Sequence, residues 1–297
     1  VSEYHYLFHI LPYKHYHGVE HQTSTVITLG PSYSLNKDFY KELLGVSSHE
    51  LYHTWNVKYM RPSDWLPYDY SKENYSELGF IAEGVTTYMG DLCLIQSKTL
   101  DWNWFIDQYQ IWLNRHFDNF GRFNESVTKS GFNTWVDGYV PGIPGKKVSI
   151  YNEGALLASC LDILIIHHSR RKYSLHTLMA NLYAIVQKSS EGITKELYQK
   201  EAEKLTGIDL SWYFNDYVFG TSSFEAMFHQ VLPLIGVRLK KTARKKRSEG
   251  QLGFKYDKHR RVTSLYPGSE LELAGIQMGD QIVSVNGIKL ENDWRNG

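Results

Sequence analysis

Cysteine is nearly absent: Cys93 and Cys160 are the two in 297 residues. Both fall in apolar, helical-looking stretches. The sequence therefore predicts two buried free thiols rather than a disulfide framework or a cysteine metal site. They leave the redox compartment open. Net charge is absent too. Lys plus Arg and Asp plus Glu each number 32, and the signs are well mixed. This argues against nucleic acid as the main partner. No apolar run approaches the roughly 20 residues of a membrane span. The longest candidate, Ala155 to Ile166, contains Asp162. There is no internal repeat and no low-complexity tract. The length allows two domains and a sizeable core.

Aromatic residues are plentiful, with 22 Tyr and 8 Trp, as in proteins with large packed interfaces or a ring-lined cleft. His49-Glu50-Leu51-Tyr52-His53 has the form H-E-x-x-H. On a helix, residues at i and i+4 share a face. Both imidazoles can then reach one tetrahedral Zn2+ at about 2.0–2.1 Å each. Glu50 can hold the water that such a metal activates. The alternative is a surface helix with two incidental histidines. Phe39, Leu43, Leu44, Leu51, Trp55 and Val57 are spaced for one mostly buried helix over 37–60, stopped by Arg61-Pro62. Gly45 weakens it but lets another backbone come close.

A zinc held by two His needs a third protein ligand and keeps its fourth position for water in catalytic sites. Glu83 is the best candidate, an ionisable group inside the otherwise apolar Phe80–Leu92 run. A lone buried carboxylate is costly, so it should bind a metal or be paired, as in a salt bridge on a helix face.

Residues 1 to about 32 read as strands, with Thr23–Leu29 ending at Gly30-Pro31. Helices are predicted over roughly 37–60, 77–97, 101–118, 151–170, 173–189, 194–205 and 209–218. The Gly- and Pro-rich loop 132–148 is of the sort that carries function. Strands follow at Gly236–Lys241, Gly253–Tyr256, Val262–Leu265 and Gln281–Val285. A basic run, Lys240 to Arg247, reads as a solvated loop.

His49 to Lys58 continues as H-E-x-x-H-T-W-N-V-K. Arg61-Pro62, Glu83-Gly84, Gly18-Val19-Glu20-His21, Gly121-Arg122, Tyr151-Asn152-Glu153-Gly154-Ala155-Leu156 and Asp216–Thr221 accompany it. This series resembles the PDZ-containing glycyl aminopeptidases, gluzincin peptidases related to aminopeptidase N. The resemblance covers nearly the whole chain. It implies an α+β protein: a mainly helical thermolysin-like catalytic domain over 33–232, then a small β-rich PDZ domain over 233–297. Residues 1–32 would be the last strands of a preceding β domain or the entry to the catalytic domain.

The resemblance assigns His49, His53 and Glu83 as ligands of one Zn2+ per chain and Glu50 as general base, then acid. It assigns Tyr151 as donor to the oxyanion and Glu20 as the carboxylate that binds a substrate's free ammonium. Substrates would be peptides with a free N-terminus, small residues such as Gly or Ala being favoured. Zinc endopeptidase and non-catalytic PDZ scaffold are the alternatives. Two departures stand out. Glu153 replaces a Lys of many relatives, an added negative charge that could alter peptide binding. Phe80 replaces a Trp, a packing change. Asp91 is a candidate outer partner of a metal ligand, or a helix-surface residue.

Gln251–Phe254, Pro267-Gly268-Ser269, Ala274-Gly275-Ile276 and Gly279–Gly287 follow the PDZ order. PDZ domains take a peptide as an added strand. This domain is expected to be incomplete, because no second groove helix follows. Opening at Val1 in strand-like sequence and stopping at Gly297, the chain reads as a piece of a longer protein. Bacterial cytoplasm and periplasm both remain open.

Overall fold

The computed structural model describes residues 2–34, 38–138, 142–242, 244 and 246–290, with Asp38 and Arg247 described in the backbone only. The first residue of the helix expected from 37, residues 139–141 of the 132–148 loop, and 243 and 245 of the basic run lie outside these. The fold is α+β. It divides into two compact units, Val1–Leu239 and Lys240–Gly297.

The first unit opens with a sheet of three strands, β1 (His5–Ile10), β2 (His15–Glu20) and β3 (Ser24–Gly30). β3 is central, parallel to β1 and antiparallel to β2. Side chains alternate across a strand, so one face of β3 carries Thr25, Ile27 and Leu29, all buried. Ile27 and Leu29 pack on Val46 of the first helix, α1 (Asp38–Tyr52). Gly18 pairs with Ile27 and Glu20 with Thr25. Directly paired residues share a face, so β2 turns Gly18 and Glu20 towards α1.

The helices follow in order: α2 (Thr86–Gln96), α3 (Trp102–Asp118), α4 (Val127–Phe132), α5 (Thr134–Asp137), α6 (Ile150–His168), α7 (Leu175–Ser189), α8 (Lys195–Thr206), α9 (Ser211–Tyr213) and α10 (Phe224–Val231). Side chains fix several N-termini. Asp101 accepts from the Trp104 N–H and Thr194 from that of Leu197. α6 is the central element, apolar on all sides and buried from Asn152 to Ile165. It is long and apolar enough to cross a membrane by length and composition, but its faces are covered by its own unit. Of its two acids, Asp162 accepts twice: Tyr88 Oη donates to one oxygen at 2.7 Å and the Leu175 N–H to the other at 2.7 Å.

A π-helical turn, Phe80–Val85, leads into α2 and packs on α6 through glycine. A methyl on Gly84 would overlap the Gly154 backbone, and one on Gly154 would overlap Gly84 and the Phe80 carbonyl. Two backbones touch here because neither residue has a side chain. Gly84→Ala gains up to about 1 kcal/mol of helix propensity. Overpacking costs about 1–3 kcal/mol, so the variant should be net destabilised. Urea denaturation checks this, and a raised midpoint would contradict it.

Two expected elements differ. The helix expected to reach residue 60 stops at Tyr52; the chain then turns and forms a bridge between Asn56 and Met60. The strand expected over Gly236–Lys241 does not form. Gly236, at φ 76°, caps a 3-10 turn, and the residues after it pair with no strand among the described residues.

The second unit contains α11 (Arg247–Gly250), β4 (Phe254–Tyr256), β5 (Val262–Leu265), α12 (Glu270–Leu273), β6 (Ser284–Val285) and β7 (Ile288–Lys289). β4 pairs antiparallel with β5, and β6 with β7. Phe254, Val262 and Leu265 form a small core with Leu252, Ile276 and Ile282.

Candidate active site

The last turn of α1 and the π-helical turn supply the site. His49 and His53 lie one turn apart on α1 and its end, with Nε2 atoms 3.0 Å apart. Glu83 Oε2 is 3.3 Å from each of them. Two ligands of a tetrahedral zinc with bonds of about 2.0–2.1 Å stand about 3.3 Å apart. The three donor atoms therefore already form one triangular face of such a shell. The set is one that could hold a metal ion.

Protonation agrees with that geometry. His53 Nδ1 lies 3.0 Å from the Asn56 carbonyl oxygen. A carbonyl only accepts, so Nδ1 carries the proton, and Nε2 is the nitrogen turned to Glu83. Glu83 Oε2 is buried and, among the described residues, has no hydrogen-bond partner. Burial alone would lower the His53 pKa, but the Glu83 carboxylate outweighs it and holds the ring up at about 9. His49 moves down, through burial. Burial acts to raise Glu83, yet the two imidazoles hold it well below the usual carboxylate range.

Glu50 sits beside this group, 5% exposed, with Oε2 also buried and without a hydrogen-bond partner among the described residues. Burial pushes its carboxyl up to about 7, against the pull of His53. A methyl on Gly18 would collide with the Glu50 carboxylate. The inner face of β2 thus has to be bare where the acid comes to rest. Two residues on, Glu20 lies on the same face of β2, and Lys58 Nζ is 3.0 Å from its Oε1. Tyr151, on the first turn of α6, places its ring 6.1 Å from that of His49, tilted 29°.

The turn after α1 is built around Asn56, 1% exposed. Its Nδ2 donates to the Ile81 carbonyl at 2.8 Å and to Thr86 Oγ1 at 2.9 Å. The next residue, Val57, is buried with φ 119°. A β-branched residue rarely takes positive φ, and the conformation costs about 1–3 kcal/mol. The surrounding turn holds it there, through the Val57 N–H donating to the Met60 carbonyl at 3.2 Å.

Thus His49, His53, Glu83 and Glu50 meet, with Tyr151 alongside and Glu20 tied to Lys58. Asp91 makes no hydrogen bond to the three donors among the described residues. Glu153 points elsewhere: its carboxylate is buried against His116 Nδ1 at 2.6 Å, both side chains about 2–3% exposed. The carboxylate expected near the peptide is therefore engaged inside the protein by His116. Beside that pair is a pocket lined by Arg122, Gly220 and Thr221. The Gly-Arg and Asp216–Thr221 motifs meet there. Phe80 is buried and edge-on to Tyr198 at 6.1 Å. Sequence reasoning assigned no role to Asn56, Lys58 or Gly18. Gly18 could have been found, since it lies one period-2 step from Glu20 on a strand.

Residues 42–157 match the M61 glycyl aminopeptidase family and residues 261–294 a PDZ domain. The chain is also similar to a solved structure, the aminopeptidase N family protein of Idiomarina loihiensis. That likeness has a TM-score of 0.80 and 27% identity, over 96% of this chain and 52% of that one. The chain thus spans about half the length of that protein. No curated protein sequence matches it significantly.

Proposed function

We propose that this relative of the M61 glycyl aminopeptidases is a zinc aminopeptidase that removes small N-terminal residues, Gly or Ala, from peptides. The observation that carries the reading is the convergence of His49 Nε2, His53 Nε2 and Glu83 Oε2 beside the Glu50 carboxylate. These three residues would hold the ion. When bound, zinc polarises the scissile carbonyl and lowers the pKa of water towards about 7.

The chain's own residues do the rest. Glu50 Oε2 takes a proton from the attacking water and passes it to the leaving amine. Tyr151 donates a hydrogen bond from its hydroxyl to the carbonyl oxygen as negative charge builds there. A donor of this kind is worth about 3–4 kcal/mol. Glu20 receives the substrate's α-ammonium in a charge-assisted hydrogen bond. Lys58 keeps that carboxylate in place until substrate arrives.

Pairing of Glu20 with Lys58 also favours a second reading, a zinc endopeptidase, because the carboxylate is already neutralised. Glu20→Ala separates the two. For an aminopeptidase, KM for a glycyl or alanyl chromogenic amide should rise about tenfold or more. That corresponds to a lost charge-assisted hydrogen bond of about 1.5–3 kcal/mol. Cleavage of amino-blocked peptides should be slow in wild type and unchanged in the variant. Equal wild-type rates on free and blocked peptides, unaffected by the substitution, would select the endopeptidase. The second unit, by its similarity to PDZ domains, would bind a peptide by strand addition.

A further inference from the structure

We propose that Asn56 is a positioning residue that fixes the distance between the two ligand-bearing segments before any metal arrives. It rests on reading His49, His53 and Glu83 as zinc ligands. Asn56 reaches both segments at once. Its main-chain carbonyl accepts the proton of His53 Nδ1 at 3.0 Å, which sets the ring's tautomer and orientation. Its side-chain amide crosses to the π-helical turn. There Nδ2 donates to the Ile81 carbonyl and to the Thr86 hydroxyl. These residues flank Glu83 on either side. Thr86 in turn donates to the Ala82 carbonyl at 2.7 Å, so the amide and the hydroxyl brace the turn together.

Two further observations set this residue apart from an ordinary buried amide. The acceptors fix which end of the amide is nitrogen, and Oδ1 is left buried without a hydrogen-bond partner among the described residues. Such an unpaired acceptor is unfavourable. The side chain is kept for what its N–H groups do. The next residue holds its backbone at φ 119°, in a region that β-branched residues avoid. An unfavourable side chain and an unfavourable backbone occur side by side at the point where the two segments are tied.

Zinc affinity of chelator-treated protein, measured by competition with a chromogenic chelator, tests the clamp. Asn56→Asp keeps the size and the main-chain carbonyl, but sets a carboxylate against two acceptors. It should bind zinc roughly 10- to 100-fold more weakly, the usual cost of losing an outer partner of a ligand. Thr86→Val, a milder change, should weaken zinc binding in the same direction and serves if the Asp variant does not fold. Asn74→Ala is the control. It removes another buried amide, one bonded to the Asp69 and Lys72 carbonyls, and should lose stability but not zinc affinity. Wild-type affinity in folded Asn56→Asp and Thr86→Val would overturn the clamp alone. Failure of wild type to bind zinc would overturn the clamp and the zinc reading together.

Discussion

Glu50→Gln should lower kcat on a glycyl or alanyl amide by roughly 100- to 10,000-fold, the range for a positioned general base. The change keeps the side chain's volume in the tight space against Gly18. It removes only the capacity to take a proton. Glu50 is not among the three grouped donors, so zinc content should not change. Loss of activity with zinc retained is the expected pair of results, measured by steady-state kinetics and metal analysis on one preparation.

The same residue predicts a pH dependence. Burial pushes Glu50 up to about 7. A carboxylate with a raised pKa loses its base form as pH falls through that value. The acid limb of kcat/KM should therefore lie near or below 7, because a bound cation favours the ionised carboxylate. Glu50→Gln should flatten it.

The second large effect is on metal retention. Glu83→Ala should weaken zinc binding by more than the roughly 10- to 100-fold that loss of an outer partner costs, because it would delete one of the three proposed ligand atoms. It also removes the counter-charge that holds His53 up. Thermal unfolding gives a readout that needs no activity. A ligand that binds only the folded state adds about 2.7 kcal/mol when its concentration is 100 times Kd. Zinc should therefore raise the wild-type melting temperature and leave that of Glu83→Ala nearly unchanged at the same concentration. An equal rise in both would remove Glu83 from the ligand set.

Much of this centre was legible in the chain. The i, i+4 pair His49 and His53 needs only helical spacing, and Glu83 stands out as a charge in an apolar run. The central helix was legible from composition alone. What was hidden depends on tertiary contacts. The apolar spacing runs on from Leu51 through Trp55 and Val57, so it gives no sign that the helix stops at Tyr52. The turn that follows is tied by Asn56 to the Ile81 carbonyl, 25 positions away. The π-helical turn around Glu83 has no periodicity of its own to read. Lys58 and Glu20 are 38 residues apart and meet only because β2 turns its inner face to α1. Glu153 reads in sequence as an added charge at the cleft, but its carboxylate meets His116 of α3, a contact that only the tertiary fold creates. The Gly236–Lys241 segment alternates like a strand, but it pairs with no strand among the described residues.

Turnover of a glycyl chromogenic amide by chelator-stripped protein, before and after one equivalent of zinc, tests the central claim most directly. The account predicts negligible turnover before, full recovery at one zinc per chain, and no recovery in the Glu83→Ala protein. Unchanged turnover after stripping, or none after adding zinc to folded wild type, would contradict it.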